Sequence, residues 1–404
     1  MFASFVFKMS LLLQSSHSEK VSGAYTVRVY ERIEEADAAE WNSILSPDDI
    51  QATHEFINTC QSAEVENALY RHLMIYEGDQ LVSVASLSLM TVSLDLLSSG
   101  VTRKIIRLMR RLRPNFLRVP LLLCGLPVSF GNSCIRFREG ASPAQIIEII
   151  NDVMDSVAQD FGARVLCFKE FTTDESISLD QLTQSGYFRA SSLPGCTLSI
   201  NWRTFDEYLA SMRAGYRRQL MATLRIRREA GLSVRVVKDF RKDCAGIHRL
   251  YQAVMDRAEF QLERLNLAFF EGLNINLRRH SRAILLEQNG ELLAAAVMLF
   301  TGRVATLLLV GIDYEQNRQY HSYFNIVIES VREAINAGVE ILELGQTSYD
   351  LKGRLGSVTT DRYLYLKHRN RGLNSILRRA SGLLFPSVAL TERRVFKNVR
   401  GLQR

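Results

Sequence analysis

The run Ser281-Arg-Ala-Ile-Leu-Leu-Glu287, Asn289-Gly290, Glu291-Leu-Leu-Ala-Ala-Ala-Val-Met-Leu-Phe300 reads as a β-hairpin. Two apolar stretches of strand length flank Asn-Gly, the pair that accepts the positive φ of a tight two-residue turn. Val304 to Ile312 follows as an uninterrupted apolar strand of the kind buried on both faces. Tyr320 to Ala337 carries helical spacing and stops at Gly338, suited to a left-handed C′ position; Val339 to Leu344 is again a strand. A hairpin feeding a strand-helix-strand crossover builds a mixed sheet, antiparallel on one side and parallel on the other.

The same order occurs upstream. Tyr25, Val27 and Val29 alternate with polar neighbours in a first strand, Glu35 to Leu45 has helical spacing, and Asp48 or Asp49 stands where a cap for a helix to about Ala63 is expected. Arg71 to Leu94 gives two strands around Glu77-Gly78-Asp79-Gln80. Val119 to Phe130, the helix Ala144 to Phe161, the strand Arg164 to Lys169 and an extended Tyr187 to Ile200 complete the first half. The second opens with a helix over Phe205 to Ala230, closed by Gly231, then a strand at Leu232 to Lys238 and two helices; Tyr363 to Lys367 alternates after its crossover. The expected fold class is therefore α/β in the α+β sense: two tandem domains, each a mixed, largely antiparallel sheet flanked by helices. The expected limits are a disordered N-terminal segment over 1–23, domains over 24–200 and 201–370, and a tail over 371–404.

With 404 residues and 47% hydrophobic content the chain supports two ordinary cores. The net charge of +7 resides entirely in the tail, where eight cations face Glu392 alone. Six cysteines without a CxxC pair or His partner at metal spacing read as reduced thiols of a cytoplasmic protein, and no metal site is expected. Met1 to Leu13 is apolar but lacks a basic start and a small-x-small cleavage site, and no stretch is long and apolar enough for a membrane span. Val101 to Arg113 alternates an apolar face (Val101, Ile105, Met109, Leu112) with six cations, the pattern of an interfacial helix. With the tail, it points to peripheral contact with an anionic membrane or an RNA.

Gly311-Ile-Asp-Tyr-Glu-Gln-Asn-Arg-Gln-Tyr-His-Ser-Tyr-Phe324, its helix, and Leu344-Gly-Gln-Thr-Ser-Tyr-Asp-Leu-Lys-Gly-Arg-Leu-Gly356 resemble the FemAB-like branch of the GNAT acyltransferases, in which a strand ends in Gly and a Lys-x-x-x-Gly element follows. Tyr216-Arg217-Arg218-Gln219-Leu220 through Gly231 is similar to the Arg-rich helix that opens the second domain there. The resemblance covers residues 200 to 370 well and the first half by architecture. It implies two GNAT-like domains and transfer of an acyl or aminoacyl group from an activated ester or thioester (acyl-CoA, acyl-carrier protein or aminoacyl-tRNA) to a primary amine, without a resident cofactor. One departure is visible. The donor turn reads Gln316-Asn317-Arg318-Gln319-Tyr320-His321-Ser322, without the glycines that let a GNAT helix end approach the CoA pyrophosphate.

Under that implication Lys352 polarises a carbonyl or binds phosphate, against the plain alternative of a solvated lysine. Asp313 or His321 handles the amine proton; Asp313 reads equally as a helix cap and His321 as a helix-end residue. Tyr349 and Gln346 orient the nucleophile or serve the turn. Arg217 and Arg218, with Arg318, hold donor phosphates, or form a solvated face. The competing reading is a non-catalytic, degenerate GNAT-fold adaptor on a membrane or RNA.

Overall fold

The computed structural model describes residues 17–22, 24–93, 118–258, 263–388, 390 and 393–397. The cation-rich helix expected over 101–113, residues 1–16 and the end of the tail lie outside them. The first sheet contains β1 (His17–Ser22), β2 (Tyr25–Tyr30), β3 (Leu69–Glu77), β4 (Gln80–Ser93), β5 (Arg118–Cys124), β6 (Ile135–Phe137), β7 (Val165–Phe171) and β8 (Phe188–Ser191). β9 (Gly195–Ser199), β10 (Ser233–Val237), β11 (Ser281–Gln288), β12 (Glu291–Phe300), β13 (Val304–Ile312), β14 (Ile341–Gly345) and β15 (Val358–Thr360) form the second, and β16 (Tyr363–His368) returns to the first. The strand orders are β1-β2-β3-β4-β5-β7-β16-β8, with β6 on β4, and β10-β11-β12-β13-β14-β9-β15.

Within each sheet a single pair is parallel, β5 with β7 and β13 with β14; every other pair is antiparallel. The crossovers that permit these parallel pairs contain helices. Labelled in chain order, the helices are α1 (Ala38–Asn42), α2 (His54–Ser62), α3 (Pro143–Phe161), α4 (Thr173–Leu179), α5 (Phe205–Ser211), α6 (Ala214–Glu229), α7 (Cys244–Met255), α8 (Leu267–Asn276), α9 (Tyr314–Tyr320), α10 (Ser322–Ala337), α11 (Tyr349–Arg354) and α12 (Arg371–Leu384). α3 and α10 are the crossovers, each ending at a left-handed glycine, Gly162 and Gly338.

Four local expectations differ from what forms. His17–Ser22, placed in a disordered leader, pairs with Tyr25–Tyr30 and covers the backbone groups of that strand. Thr53 caps α2, its side chain accepting from Phe56 N; Asp48 instead accepts from Thr301 Oγ1 at 2.8 Å and Arg303 N at 3.1 Å in the other half. The helix expected over Phe205–Ala230 breaks at Met212 and Arg213, because Met212 forms a β-bridge with Phe396 and Arg213 N donates to Val395 O. The last strands are exchanged: β9 lies beside β14 and β16 beside β7, so each sheet includes a strand from beyond its own crossover unit.

The halves share apolar packing. Phe56 of α2 meets Phe130 and, from α8, Phe269 edge to face, with ring centres 5.1 and 6.3 Å apart. α7 lies so close to β13 that a Cβ on Gly311 would sit 2.6 Å from Tyr251 N.

Candidate active site

Pairing between β13 and β14 lasts only from Val304–Thr306 to Ile341–Glu343. Beyond it the strands part, and a cleft of about 860 Å³ opens between Leu307–Val310 on one side and Leu344–Ser348 on the other. Diverging parallel strands leave backbone groups free to bind a substrate. The opposite wall includes Val128–Phe130 from the first half, Tyr251 and Met255 of α7, and Glu263. Asn132 Nδ2 donates to Glu343 at 3.2 Å and Arg362 Nε donates to Gly131 O, which fixes that wall against the second sheet.

Lys352 lies in this cleft. Gly345, Thr347 and Ser348 all have positive φ (68, 66 and 50°), so the chain reverses after β14 and α11 directs Lys352 inward. The side chain is 3% exposed and its Nζ donates to Gln346 O at 2.6 Å. No salt bridge to it forms among the described residues, and burial lowers its pKa to about 8, against a small opposing effect of Cys196. The alternative of a solvated lysine is thus not what forms; the ammonium is buried and short of acceptors.

The other candidates separate into two groups. Arg318 and His321 line the same cleft, both exposed, with His321 in the left-handed region between α9 and α10 (φ 50°). Gln346 also lines it, but its Nε2 donates to Leu193 O at 2.6 Å, and Tyr349 Oη donates to Pro194 O at 3.1 Å; both side chains fasten the Lys352 loop to residues 193–194. Burial raises the Tyr349 pKa to about 12. Asp313 acts as the N-cap of α9, accepting from Glu315 N at 2.8 Å and Gln316 N at 3.4 Å, and is not a lining residue. Arg217 is half-buried and Arg218 exposed on α6, outside the cleft lining, on a helix packed beside α9. The donor turn is already occupied in part: Tyr323 N, in the first turn of α10, donates to Asn317 Oδ1 at 2.9 Å. A helix end so satisfied has fewer bare N–H groups for a pyrophosphate.

The FemAB-like family model, described as peptidoglycan biosynthesis/recognition, matches residues 32–345. The chain belongs to the FemAB-like family. These are GNAT-fold acyltransferases, and the tandem mixed sheets of this FemAB-like chain agree with that membership. Its fold is similar to the crystal structure of FemX (11% identity, TM-score 0.55, covering 85% of this chain and 98% of that one). It is also similar to the C-terminal domain of a provisionally named lysylphosphatidylglycerol synthetase from Agrobacterium fabrum (12% identity, TM-score 0.51, 89% and 100% covered). A Mycobacterium tuberculosis protein provisionally named 8-amino-7-oxononanoate synthase 2 is 24% identical over 265 residues, 64% of this chain; the chain spans only 34% of that relative's length.

The FemAB-like cleft also holds ionisable residues that sequence reasoning missed. Glu263 lines the wall opposite the strand opening, and burial raises its pKa to about 8; Lys169 opposes the shift while Glu170 and Glu66 add to it. Behind it Lys169 and Glu170, 4% and 7% exposed, stand 3.6 Å apart, and Ser129 of the cleft wall donates to Glu170. Glu170 has φ 67°, a strained conformation for a buried non-glycine residue, of the kind that collects at working sites. Two adjacent charges inside the apolar run Val165-Leu-Cys-Phe-Lys-Glu-Phe171 were the available signal, since a strand buried on both faces has no solvated side for either. Glu263, in an irregular segment, had none. All six cysteines are unpaired and buried, and burial raises Cys167 to about 12 and Cys244 to about 11, far from a reactive thiolate. Among the described residues no cluster of three or more His, Cys, Asp or Glu is placed to hold a metal ion.

Proposed function

We propose that this FemAB-like chain moves an aminoacyl group from a tRNA ester to a primary amine of a peptidoglycan-type peptide, forming an amide in the cleft between β13 and β14. The observation that carries the reading is Lys352, a buried ammonium at the cleft with one backbone acceptor. A cation held in low dielectric stabilises the oxygen of a carbonyl under attack, where negative charge develops. The amine nitrogen bonds to the acyl carbon and the carbon–oxygen bond to the carrier breaks. Glu263, ionised in a share of molecules that grows as pH approaches its pKa of about 8, accepts the amine proton and passes it to the carrier oxygen, which leaves as the hydroxyl.

The glycine-free turn and the Asn317–Tyr323 bond favour a tRNA ester over a CoA thioester. Arg318 in the cleft and Arg217 and Arg218 on α6 beside it supply charge for nucleic-acid phosphates. The family description supports the cell-wall acceptor.

The test is amide formation, read by mass spectrometry, from a panel of aminoacyl-tRNAs and separately from acetyl-CoA, with a lysine-containing stem peptide as acceptor. Product from aminoacyl-tRNA, lowered about a hundredfold in Lys352→Ala with an unchanged melting temperature, is expected for loss of one preorganised charged donor. Product from acetyl-CoA alone would replace the donor, and wild-type turnover in Lys352→Ala would remove the carbonyl assignment.

A further inference from the structure

Helix α12 faces the wrong way for a surface helix. Its polar residues point toward the protein: Asn374 Nδ2 donates to Gly186 O at 2.8 Å, Asn374 Oδ1 accepts from His368 N at 2.9 Å, and one turn on Arg378 reaches Tyr187 O at 3.5 Å. Three of its large apolar residues point outward. Leu373, Ile376 and Leu383 are 49, 60 and 85% exposed, Leu377, Ala380 and Leu384 beside them are half-buried like Asn374, and no residue of the helix is buried. Single exposed leucines are ordinary, but a stripe along one helix face, opposite the side that anchors it, leaves a contiguous apolar surface in water.

The charge around this stripe has one sign along the helix. Arg371, Arg378 and Arg379 are its ionisable residues, with no acid in its 14 positions. Just before its N-terminal end Arg164 and Arg369, both exposed, stand beside Leu373 around a shallow, mostly apolar recess. Arg369 Nη1 donates to Ala158 O at 3.1 Å, which holds that side chain in place. Exposed apolar residues flanked by arginines match the boundary of a lipid leaflet, where acyl chains meet phosphate. An RNA would meet the arginines but leave the leucine stripe in water.

We propose that α12 lies on an anionic phospholipid leaflet, with Leu373, Ile376 and Leu383 at the acyl boundary and the arginines on and beside the helix, Arg164 and Arg369 among them, meeting headgroup phosphates. This surface is independent of the acyl-transfer reading, and its test needs no turnover.

The experiment is co-sedimentation of the full chain with vesicles of phosphatidylcholine and with vesicles of equal parts phosphatidylcholine and phosphatidylglycerol. The mixed vesicles are expected to bind, less well as salt rises, and the phosphatidylcholine vesicles to bind weakly. Ile376→Asp with Leu383→Asp is expected to lower affinity at least tenfold with an unchanged or higher melting temperature, because both side chains are exposed in the free protein. Arg164→Gln with Arg369→Gln is expected to lower affinity for the mixed vesicles about tenfold while leaving the weak phosphatidylcholine binding intact. Ile376→Ser is the milder variant should the double acid disturb folding. Undiminished vesicle binding in these variants overturns the proposal. So does competition by RNA that depends on the leucines, or a dimer dispersed by Ile376→Asp, which would give the face to a second copy of the chain.

Discussion

Lys352 is a charge held almost entirely out of water. Burial costs the ammonium its hydration, and one carbonyl does not replace it, so the proton is released near pH 8 instead of 10.5. Between those values the unfolded chain binds more protons than the folded one, so stability rises with pH across that interval. Below pH 8 the folded protein bears the full burden of the buried charge, on the order of 3 kcal/mol, using 1.36 kcal/mol per unit. Lys352→Met should therefore raise the melting temperature at pH 7, by somewhat less than that figure implies because Gln346 O loses its donor. The gap to wild type should close by about pH 10.5, and thermal denaturation of both proteins across pH 7 to 10.5 measures it. A gap that stays constant with pH would mean the ammonium is not buried as a charge. For catalysis the profile should be a bell centred near pH 8: the rate rises below it as Glu263 ionises and falls above it as the protonated Lys352 donor is lost, whereas a neutral lysine acting as base would leave the rate high above pH 8.

At the scale of elements, the cleft depends on where β13 stops pairing with β14 and on how closely α7 backs β13. Gly311 permits that approach, since a Cβ there would lie 2.6 Å from Tyr251 N and 2.7 Å from Leu250 Cβ. Backbone cannot yield as a side-chain tip does, so Gly311→Ala should cost roughly 1–3 kcal/mol and displace α7, which supplies Tyr251 and Met255 to the cleft. Urea denaturation at constant slope reads the first effect; an unchanged midpoint would show that α7 shifts freely. The Lys352 loop was legible from Gly345 and Lys352 themselves, because Gly at a strand end and a following Lys-x-x-x-Gly element are local signals. The break at Met212 and Arg213 was not, because helical spacing runs through it and the interrupting partner, Phe396, lies far along the chain.

Across the whole molecule the exchanged strands decide how the halves depend on one another. β16 lies between β7 and β8 of the first sheet, and β9 between β14 and β15 of the second. Cutting the chain at residue 200 would leave the first sheet without β16 and the second without β9, separating the end strands β8 and β15 and exposing the unpaired edges of β7 and β14. Residues 24–200 and 201–397 expressed separately should each fail to show cooperative unfolding, and co-expression should restore a complex that co-purifies. Two halves that each melt cooperatively alone would show that the exchange adds little. The Phe56, Phe130 and Phe269 contacts point the same way, since they bury rings from both halves against each other.

By itself the sequence determined the elements and the family: the Asn289-Gly290 hairpin, the helices ended by Gly231 and Gly338, the doubled order of strands, and the Lys352 loop all follow from patterns within a few residues. Turn geometry and hydrophobic period are properties of neighbouring residues, so one chain suffices to read them. Tertiary structure alone decided which strand completes each sheet, that Asp313 is spent on capping α9, that Glu263 lines a cleft wall near the buried Lys169 and Glu170, and that α12 shows Leu373, Ile376 and Leu383 to solvent. The physical reason is that strand pairing, desolvation and exposure depend on what lies opposite in space. Alternation marks a strand without naming its partner, and a charge in an apolar run is costly or useful only according to the groups brought against it.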